Sequence, residues 1–171
     1  MEKEMIDKEL IENAIAEALK TGGDFAEIFV EDKRSSSAYF DDGKVEELTS
    51  GRDRGAGIRV VVGETTGFAH TADLSTQGLL EAARSAAAAA RSNGGASSAN
   101  NLTASSNPSP NPVLVLPETV EKIKKVELLK RADEVARSQS KSITQVSARY
   151  GDSRRRILVA NSDGVYASDD Q

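Results

Sequence analysis

The sequence predicts an α+β fold: a mostly antiparallel mixed sheet with helices packed on one face. Three observations predict it. Short stretches alternate apolar and polar residues with the period of a half-buried strand. Asp-Gly pairs mark tight reverse turns between such stretches. Two halves of the chain also repeat an order of helix, strand, short polar turn, strand, Asp-Gly turn and strand, which points to two helix-plus-meander units sharing one sheet.

Taken in order, Leu10, Ile11, Ala14, Ile15, Ala18 and Leu19 recur at helical spacing, and Gly22-Gly23 supplies a stop. Ala26, Ile28 and Val30 then alternate with Glu27, Phe29 and Glu31 as a first strand. A short polar turn at Asp32-Lys33 leads to a second strand, Ser35 to Phe40, with Ala38 and Phe40 inward. Asp41-Asp42-Gly43 reads as a reverse turn into Lys44 to Thr49, and the turn accounts for both carboxylates without a metal.

The stretch from Ser50 to Ser75 is the densest in signals. Ala56, Ile58, Val60 and Val62 fall on one face, with Val61 making the run nearly continuous, as in an interior strand. Gly63-Glu64 turns the chain into a partner strand, Thr65 to Thr71. Ser75, with Asp73, is placed to cap a helix whose apolar stripe is Leu79, Leu80, Ala83, Ala87 and Ala90. Gly51, Asp53, Gly55, Gly57, Gly63 and Gly67 form the structural motif of this region, and Gly57 is expected where another backbone comes close.

From residue 92 to 117 apolar residues thin out and turn formers crowd together, as in a long flexible surface loop. Helical periodicity returns from Glu118 to Ser138, with Leu128, Leu129, Ala132, Val135 and Ala136 as its apolar face. Val146, Ala148 and Tyr150 alternate, Asp152-Ser153 turns, and Ile157 to Ala160 forms a further strand. Asn161 to Gly164 then turns into Val165 to Ala167, an outer strand whose free edge is suited to pairing with an extended peptide.

Composition narrows the function. The chain has 171 residues, no cysteine and one histidine, so neither a disulfide framework nor a thiolate metal site can form. A formal net charge of −5 disfavours nucleic acid as a partner, because such binding leans on clustered Lys and Arg. The N-terminal segment is charged and amphipathic, unlike a secretory signal, and no stretch approaches a membrane span. A cytoplasmic location without membrane partners is expected.

Three chemistries compete in the densest stretch. Gly55-Ala56-Gly57 begins a dinucleotide fingerprint, but Val60 stands where the third glycine belongs and a strand follows instead of a helix. His70 alone falls far short of a zinc site. Arg52, Arg54 and Arg59 are left as candidates for contact with a partner or peptide through a carboxylate, against the plainer reading in which Asp53 pairs with a neighbouring arginine.

The run DGKVEELTSGRDRGAGIRVVVGETTGFAHTADLS followed by LLEAARSAA resembles the N-terminal region of the TldD/PmbA family, sometimes labelled modulators of DNA gyrase. GGDFAEIFVED before it, and VELLKRADEVARS and TQVSARYGDSRRRILVANSDG after it, extend the resemblance over nearly the whole chain. Phe68 after Gly67, and Glu46-Glu47 after Asp42-Gly43-Lys44-Val45, look more TldD-like than PmbA-like.

The resemblance implies a cytoplasmic zinc metallopeptidase in which a TldD-type subunit pairs with a PmbA (TldE)-type subunit and cleaves unstructured peptides. Its metal site, H-E-x-x-x-H plus a cysteine, lies downstream of the matched region, so no ligand carries over to a position of this chain. Residues 1–171 are thus expected to be the N-terminal domain of a longer protein, with the catalytic C-terminal domain absent. Catalytic and metal residues are expected to be none in this chain, with zinc confined to the parent. The expected role is scaffold, contact with a PmbA/TldE-like subunit or a second copy, and guidance of peptide. The alternative is a non-enzymatic interaction module acting through a sheet edge, with gyrase modulation behind both.

Overall fold

The computed structural model describes residues 5–91, 102–104 and 113–171. The elements run α1 (Lys8–Leu19), β1 (Phe25–Asp41), β2 (Lys44–Val62), β3 (Thr65–Thr71), α2 (Thr76–Ala89), β4 (Thr103–Ala104), α3 (Lys122–Gln139), β5 (Ser147–Asn161) and β6 (Val165–Asp170). A single 3-10 turn, Pro117–Thr119, precedes α3. The six strands form a mixed sheet in the order β3-β2-β1-β5-β6-β4, and the fold is α+β as the repeated strand-and-turn pattern predicts. The strand made by residues 56–62 is interior, flanked by β1 and β3.

Most neighbours are antiparallel. The β2–β3 hairpin pairs Val62 with Thr65 and Ala56 with Thr71, while β5 and β6 pair Ala160 with Tyr166 and Arg156 with Asp170. At the two ends of the β1–β5 pair the amide of Asp42 donates to the carbonyl of Val146 and the amide of Ser162 to that of Ala26, so these strands also run antiparallel. The tight turns use the predicted residues, with φ of 44° at Asp42, 82° at Gly43 and 56° at Gly63.

The chain separates into two compact units. The first comprises Met1–Asp32, Arg54–Pro110 and Arg156–Asp170, and the second Lys33–Asp53, Asn111–Arg155 and Gln171.

In the first unit, even-numbered positions of β1, β2 and β5 face the helices. Ala26, Ile28, Val30, Ala56, Ile58, Val60, Leu158 and Ala160 pack with Ile11, Ala14, Ile15, Ala18 and Leu19 of α1 and with Leu79, Ala83, Ala86 and Ala87 of α2. Asp7 caps α1 by accepting from the amide of Glu9 at 2.9 Å, and Ser75 caps α2 by accepting from Gly78 at 3.2 Å. Asp73 holds the amide of Ser75 at 2.9 Å, so both predicted capping residues serve. The stripe of α2 is so small that the helix lies directly on β3: a Cβ placed on Gly67 would stand 2.0 Å from the carbonyl oxygen of Ala86.

In the second unit Ala38, Phe40 and Leu129 form a small core, joined by Ala148 and Tyr150. The predicted turns at Asp32-Lys33 and Asp152-Ser153 are absent, because β1 and β5 each run through them as one strand. Polar residues there are compatible with strand because the inward ones find polar partners: Ser36 donates to Asp152 at 2.8 Å and Arg154 to Glu118 at 2.8 Å. Likewise β2 runs unbroken through Ser50 to Gly55.

Two further expectations change. The buried side of α3 consists of Lys125, Val126, Leu129 and Asp133, whereas Leu128 and Val135 are more than half exposed. Ion pairing turns the charged residues inward: Lys125 meets Asp152, and Asp133 accepts from Arg137 at 2.9 Å. The free edge expected at Val165 to Ala167 is also partly covered, since Thr103 and Ala104 pair in parallel with Val165 and Tyr166. The remainder of the loop expected over 92–117 falls mostly outside the described residues.

Candidate functional site

A cleft of about 400 Å³ lies wholly within the second unit, lined by residues of β1, β2, β5, the 3-10 turn and the start of α3. Strand β1 contributes Arg34, Ser35 and Ser36, and β2 contributes Ser50, Gly51 and Arg52. Pro117, Glu118 and Val120 come from the turn, Lys122 and Lys125 from α3, and Asp152 and Arg154 from β5. Its volume is in the range of ordinary small-ligand pockets, about 300–1,000 Å³.

The floor is a buried polar chain. Lys125, 4% exposed, donates from Nζ to the Ser36 hydroxyl at 2.9 Å, and Ser36 donates onward to Oδ1 of Asp152 at 2.8 Å. Oδ2 of Asp152 lies 2.6 Å from the same Nζ and closes the chain as an ion pair. Burial by itself would raise the Asp152 carboxyl, but hydrogen bonds from Lys125, Ser36 and Tyr150, together with the lysine charge, outweigh it and hold the group below the usual aspartate value. Tyr150 responds in the opposite sense: burial and the adjacent carboxylate push its hydroxyl up. Its ring also receives the Lys125 ammonium at 5.6 Å.

The wall repeats the arrangement. Glu118 accepts from Arg154 at 2.8 Å and lies 3.9 Å from Arg34. Burial alone would raise the glutamate, but the arginine bonds and charges, with its own backbone amide, bring it below the usual range. Lys122, at the mouth, donates to the Ser50 hydroxyl at 3.3 Å.

These contacts decide what the cleft can do. Lys125 meets the Ser36 hydroxyl as a donor while Ser36 donates to the Asp152 carboxylate, so the lysine nitrogen is not aimed at that hydroxyl as a base and Ser36 is not an activated nucleophile. The cleft offers many donors and few acceptors, which is the equipment of anion recognition. Zinc does not fit: among the described residues no group of three or more His, Cys, Asp or Glu side chains converges, and the single histidine, His70, lies on β3 of the first unit, stacked with Phe68 at 6.3 Å between centroids.

Of the three candidate arginines, Arg52 lines the cleft. Arg59 belongs to the first unit, where it bonds Glu27 at 2.8 Å and lies 5.6 Å from the centre of the Phe25 ring. Its carboxylate is thus supplied internally, and the glutamate raises the arginine's already high pKa. Arg54 is an exposed residue of the first unit, and Asp53 an exposed residue of the second.

The glycine motif also sorts by place. Gly63 makes the hairpin turn, Gly55 abuts the carbonyl of Thr71 and Gly51 has room around it. The close backbone approach expected at Gly57 is found at Gly67, since a Cβ on Gly57 would meet only the ring of Phe68. Sequence reasoning did not find Arg34, Ser36, Glu118, Lys122, Lys125, Asp152 or Arg154. No local signal marked them, because they come from separate stretches of the sequence.

Comparison with known proteins gives consistent results. Residues 26–90 match the family model for PmbA/TldA metallopeptidase domain 1, and residues 116–171 match that for the PmbA/TldA metallopeptidase central domain. The chain is 33% identical over 147 residues to a metalloprotease TldD homolog of Haemophilus influenzae, covering 85% of this chain and 30% of that protein. It is 26% identical over 146 residues to a metalloprotease TldD homolog of Buchnera aphidicola, with the same coverage of 85% and 30%.

The fold is shared with TldE from Thermococcus kodakarensis, at a TM-score of 0.71 and 22% identity, covering 94% of this chain and 36% of the other. It is shared too with a candidate modulator of DNA gyrase from Bacteroides thetaiotaomicron, at a TM-score of 0.71 and 20% identity over 95% of this chain and 38% of that one. The chain therefore spans about 30% of the length of the curated relatives it matches. With both family models matched in order along the sequence, the chain belongs to the PmbA/TldD metallopeptidase family.

Proposed function

We propose that this chain is a non-catalytic part of a TldD-like zinc metallopeptidase that acts on unstructured peptides, with a role in scaffold, subunit contact and peptide guidance. The observation that carries it is the match to two metallopeptidase domains in a sequence with one histidine and no cysteine, from which an H-E-x-x-x-H plus cysteine site cannot be assembled. The zinc-bound water and the general base of such a hydrolysis then belong to residues outside this sequence. The subunit it contacts is a PmbA/TldE-like chain or a second copy of itself. A cytoplasmic location without nucleic-acid or membrane partners accords with the acidic balance, and no helix among the described residues is long and apolar enough to cross a membrane.

The test compares the chain alone with a protein that also carries the H-E-x-x-x-H segment, measuring zinc content and cleavage of an unstructured fluorogenic peptide. The chain alone should hold no stoichiometric zinc and cleave nothing, while the longer protein should do both. Chelator-sensitive cleavage by the chain alone would overturn the proposal.

A second reading, an adaptor without chemistry, draws on the edge position of β3 and the 61% exposure of Phe68 upon it. Absence of peptidase activity in the longer protein would favour that reading.

A further inference from the structure

The cleft of the second unit has a charge balance opposite to that of the chain. Five cationic side chains line it, Arg34, Arg52, Lys122, Lys125 and Arg154, against two carboxylates, Glu118 and Asp152. In a sequence of formal net charge −5, this is a local excess of three positive charges. Both carboxylates are already engaged, Glu118 by Arg154 and Arg34, and Asp152 by Lys125 and Ser36. Neither can neutralise the mouth of the cleft, where Lys122 is exposed and, among the described residues, bonds the uncharged hydroxyl of Ser50.

The start of α3 adds to the same imbalance. Glu121 stands at its N-cap but gives no side-chain bond to the first turn, and no acidic residue occupies that turn. Lys122, Lys124 and Lys125 are there instead. A helix N-terminus carries partial positive charge and unsatisfied amide donors, and it normally recruits acids. Here cations are added to it, on an 18-residue helix that opens into a donor-rich cleft. Hydroxyls of Ser35, Ser36 and Ser50 line the same space.

We propose that this cleft binds a carboxylate of an extended peptide, either an Asp or Glu side chain or the C-terminal group. The inference rests on the reading of the chain as a peptide-handling part of a metallopeptidase, and it adds a preference for acidic or carboxy-terminal peptide positions. A volume of about 400 Å³ holds one or two residues of such a chain and no folded domain. Arginine guanidinium groups meet carboxylates in planar, two-pronged fashion, and charge-assisted bonds of this kind weaken as salt rises.

The experiment titrates the full chain, at low and physiological salt, with three unstructured peptides of equal length. One carries Glu side chains and an amidated terminus, one is neutral with a free C-terminus, and one is neutral and amidated. At least one of the first two should bind ten-fold or more tightly than the third, and which one does so identifies the source of the carboxylate. Lys122→Glu and, independently, Arg34→Gln should each weaken that binding about ten-fold without lowering the melting temperature, because both residues are exposed.

Equal binding of all three peptides, no binding of any, or indifference to both substitutions would overturn the proposal. Displacement by inorganic phosphate, but not by acetate at the same concentration, would assign the cleft to phosphate and overturn the carboxylate. If no peptide binds here while the longer protein still cleaves peptides in a zinc-dependent way, only the cleft assignment fails. If this chain alone shows chelator-sensitive cleavage, the functional reading beneath it fails.

Discussion

Replacing Gly67 with alanine tests the packing of the first unit at its tightest point. The added Cβ would sit 2.0 Å from the carbonyl oxygen of Ala86, 2.5 Å from the amide nitrogen of Ala90 and 3.0 Å from the carbonyl carbon of Ala89. All three are backbone atoms of α2 or its end, so no side chain can rotate away. Relief requires α2 to retreat from β3 by on the order of 1 Å, and a gap of that size forfeits about a quarter to a half of each contact's dispersion energy. The contacts at risk are those of Leu79, Ala83, Ala86 and Ala87, all within the core of that unit. Overpacking of this type costs about 1–3 kcal/mol, and a backbone clash belongs at the upper end. The opposing gain from restricting the unfolded chain is only about 0.4–1 kcal/mol, so destabilisation wins.

Urea denaturation should show a lower midpoint at unchanged slope, by about 1–2 M for a slope near 1.5 kcal/mol per M. Gly57→Ala is the control. Its Cβ would meet only the Phe68 ring, at 3.0 Å, and that ring is 61% exposed and free to swing. Its cost should stay below about 1 kcal/mol. A Gly67→Ala midpoint equal to the wild type, or a Gly57→Ala loss as large, would refute the reasoning.

Three other outcomes follow from the same contacts. Lys125→Met should destabilise the second unit by about 3 kcal/mol, since it leaves the Asp152 carboxylate buried without its counter-ion; thermal melts of the variant and of Lys125→Met combined with Asp152→Asn check this, the double variant recovering part of the loss. Asp152 and Glu118 both titrate below their ordinary values, so the folded state binds fewer protons than the unfolded one. Their contribution is therefore complete above the ordinary carboxylate range and is lost as pH falls through the lowered values, and urea midpoints at a series of acid pH values should show Asp152→Asn losing part of that slope. Ser75→Ala should cost about 1 kcal/mol by removing the acceptor for the amide of Gly78, read as a small midpoint shift, with Ser75→Asp restoring it.

Local chemistry made much of the first unit legible. Asp42-Gly43 and Gly63 turn where their dihedral freedom says they should, and Ser75 caps α2 because a hydroxyl before an apolar stripe has few better uses. Strand continuity was not legible. Lys33 and Asp152 look like turn residues until the pairing across the sheet is known, and that pairing is set by segments more than a hundred residues away. The face of α3 was misread for a related reason. A helix wheel assigns Lys125 and Asp133 to solvent, and only the positions of Asp152 and Arg137 show that their charges are satisfied inside. The cleft was hidden altogether, because Ser36, Glu118, Lys125 and Asp152 come from separate parts of the sequence. Of the residues named beforehand for contact, Arg52 lines the cleft, while Arg59 already has Glu27.

The division of the chain into two compact units bears on how it can be handled in the laboratory. Strands β1, β2 and β5 each begin in one unit and end in the other, so three of the boundaries between the units fall inside strands. Each unit is assembled from separate stretches of sequence, and no contiguous piece of polypeptide contains one whole without part of the other. The first family-model segment, residues 26–90, itself includes residues 33–53 of the second unit. A gene trimmed to that segment would encode three strands and one helix, severed from α1 and from β5, and would strip Ile11, Ile15, Leu158 and Ala160 from the core that holds Ile28 and Val30. Limited proteolysis should accordingly release no stable half.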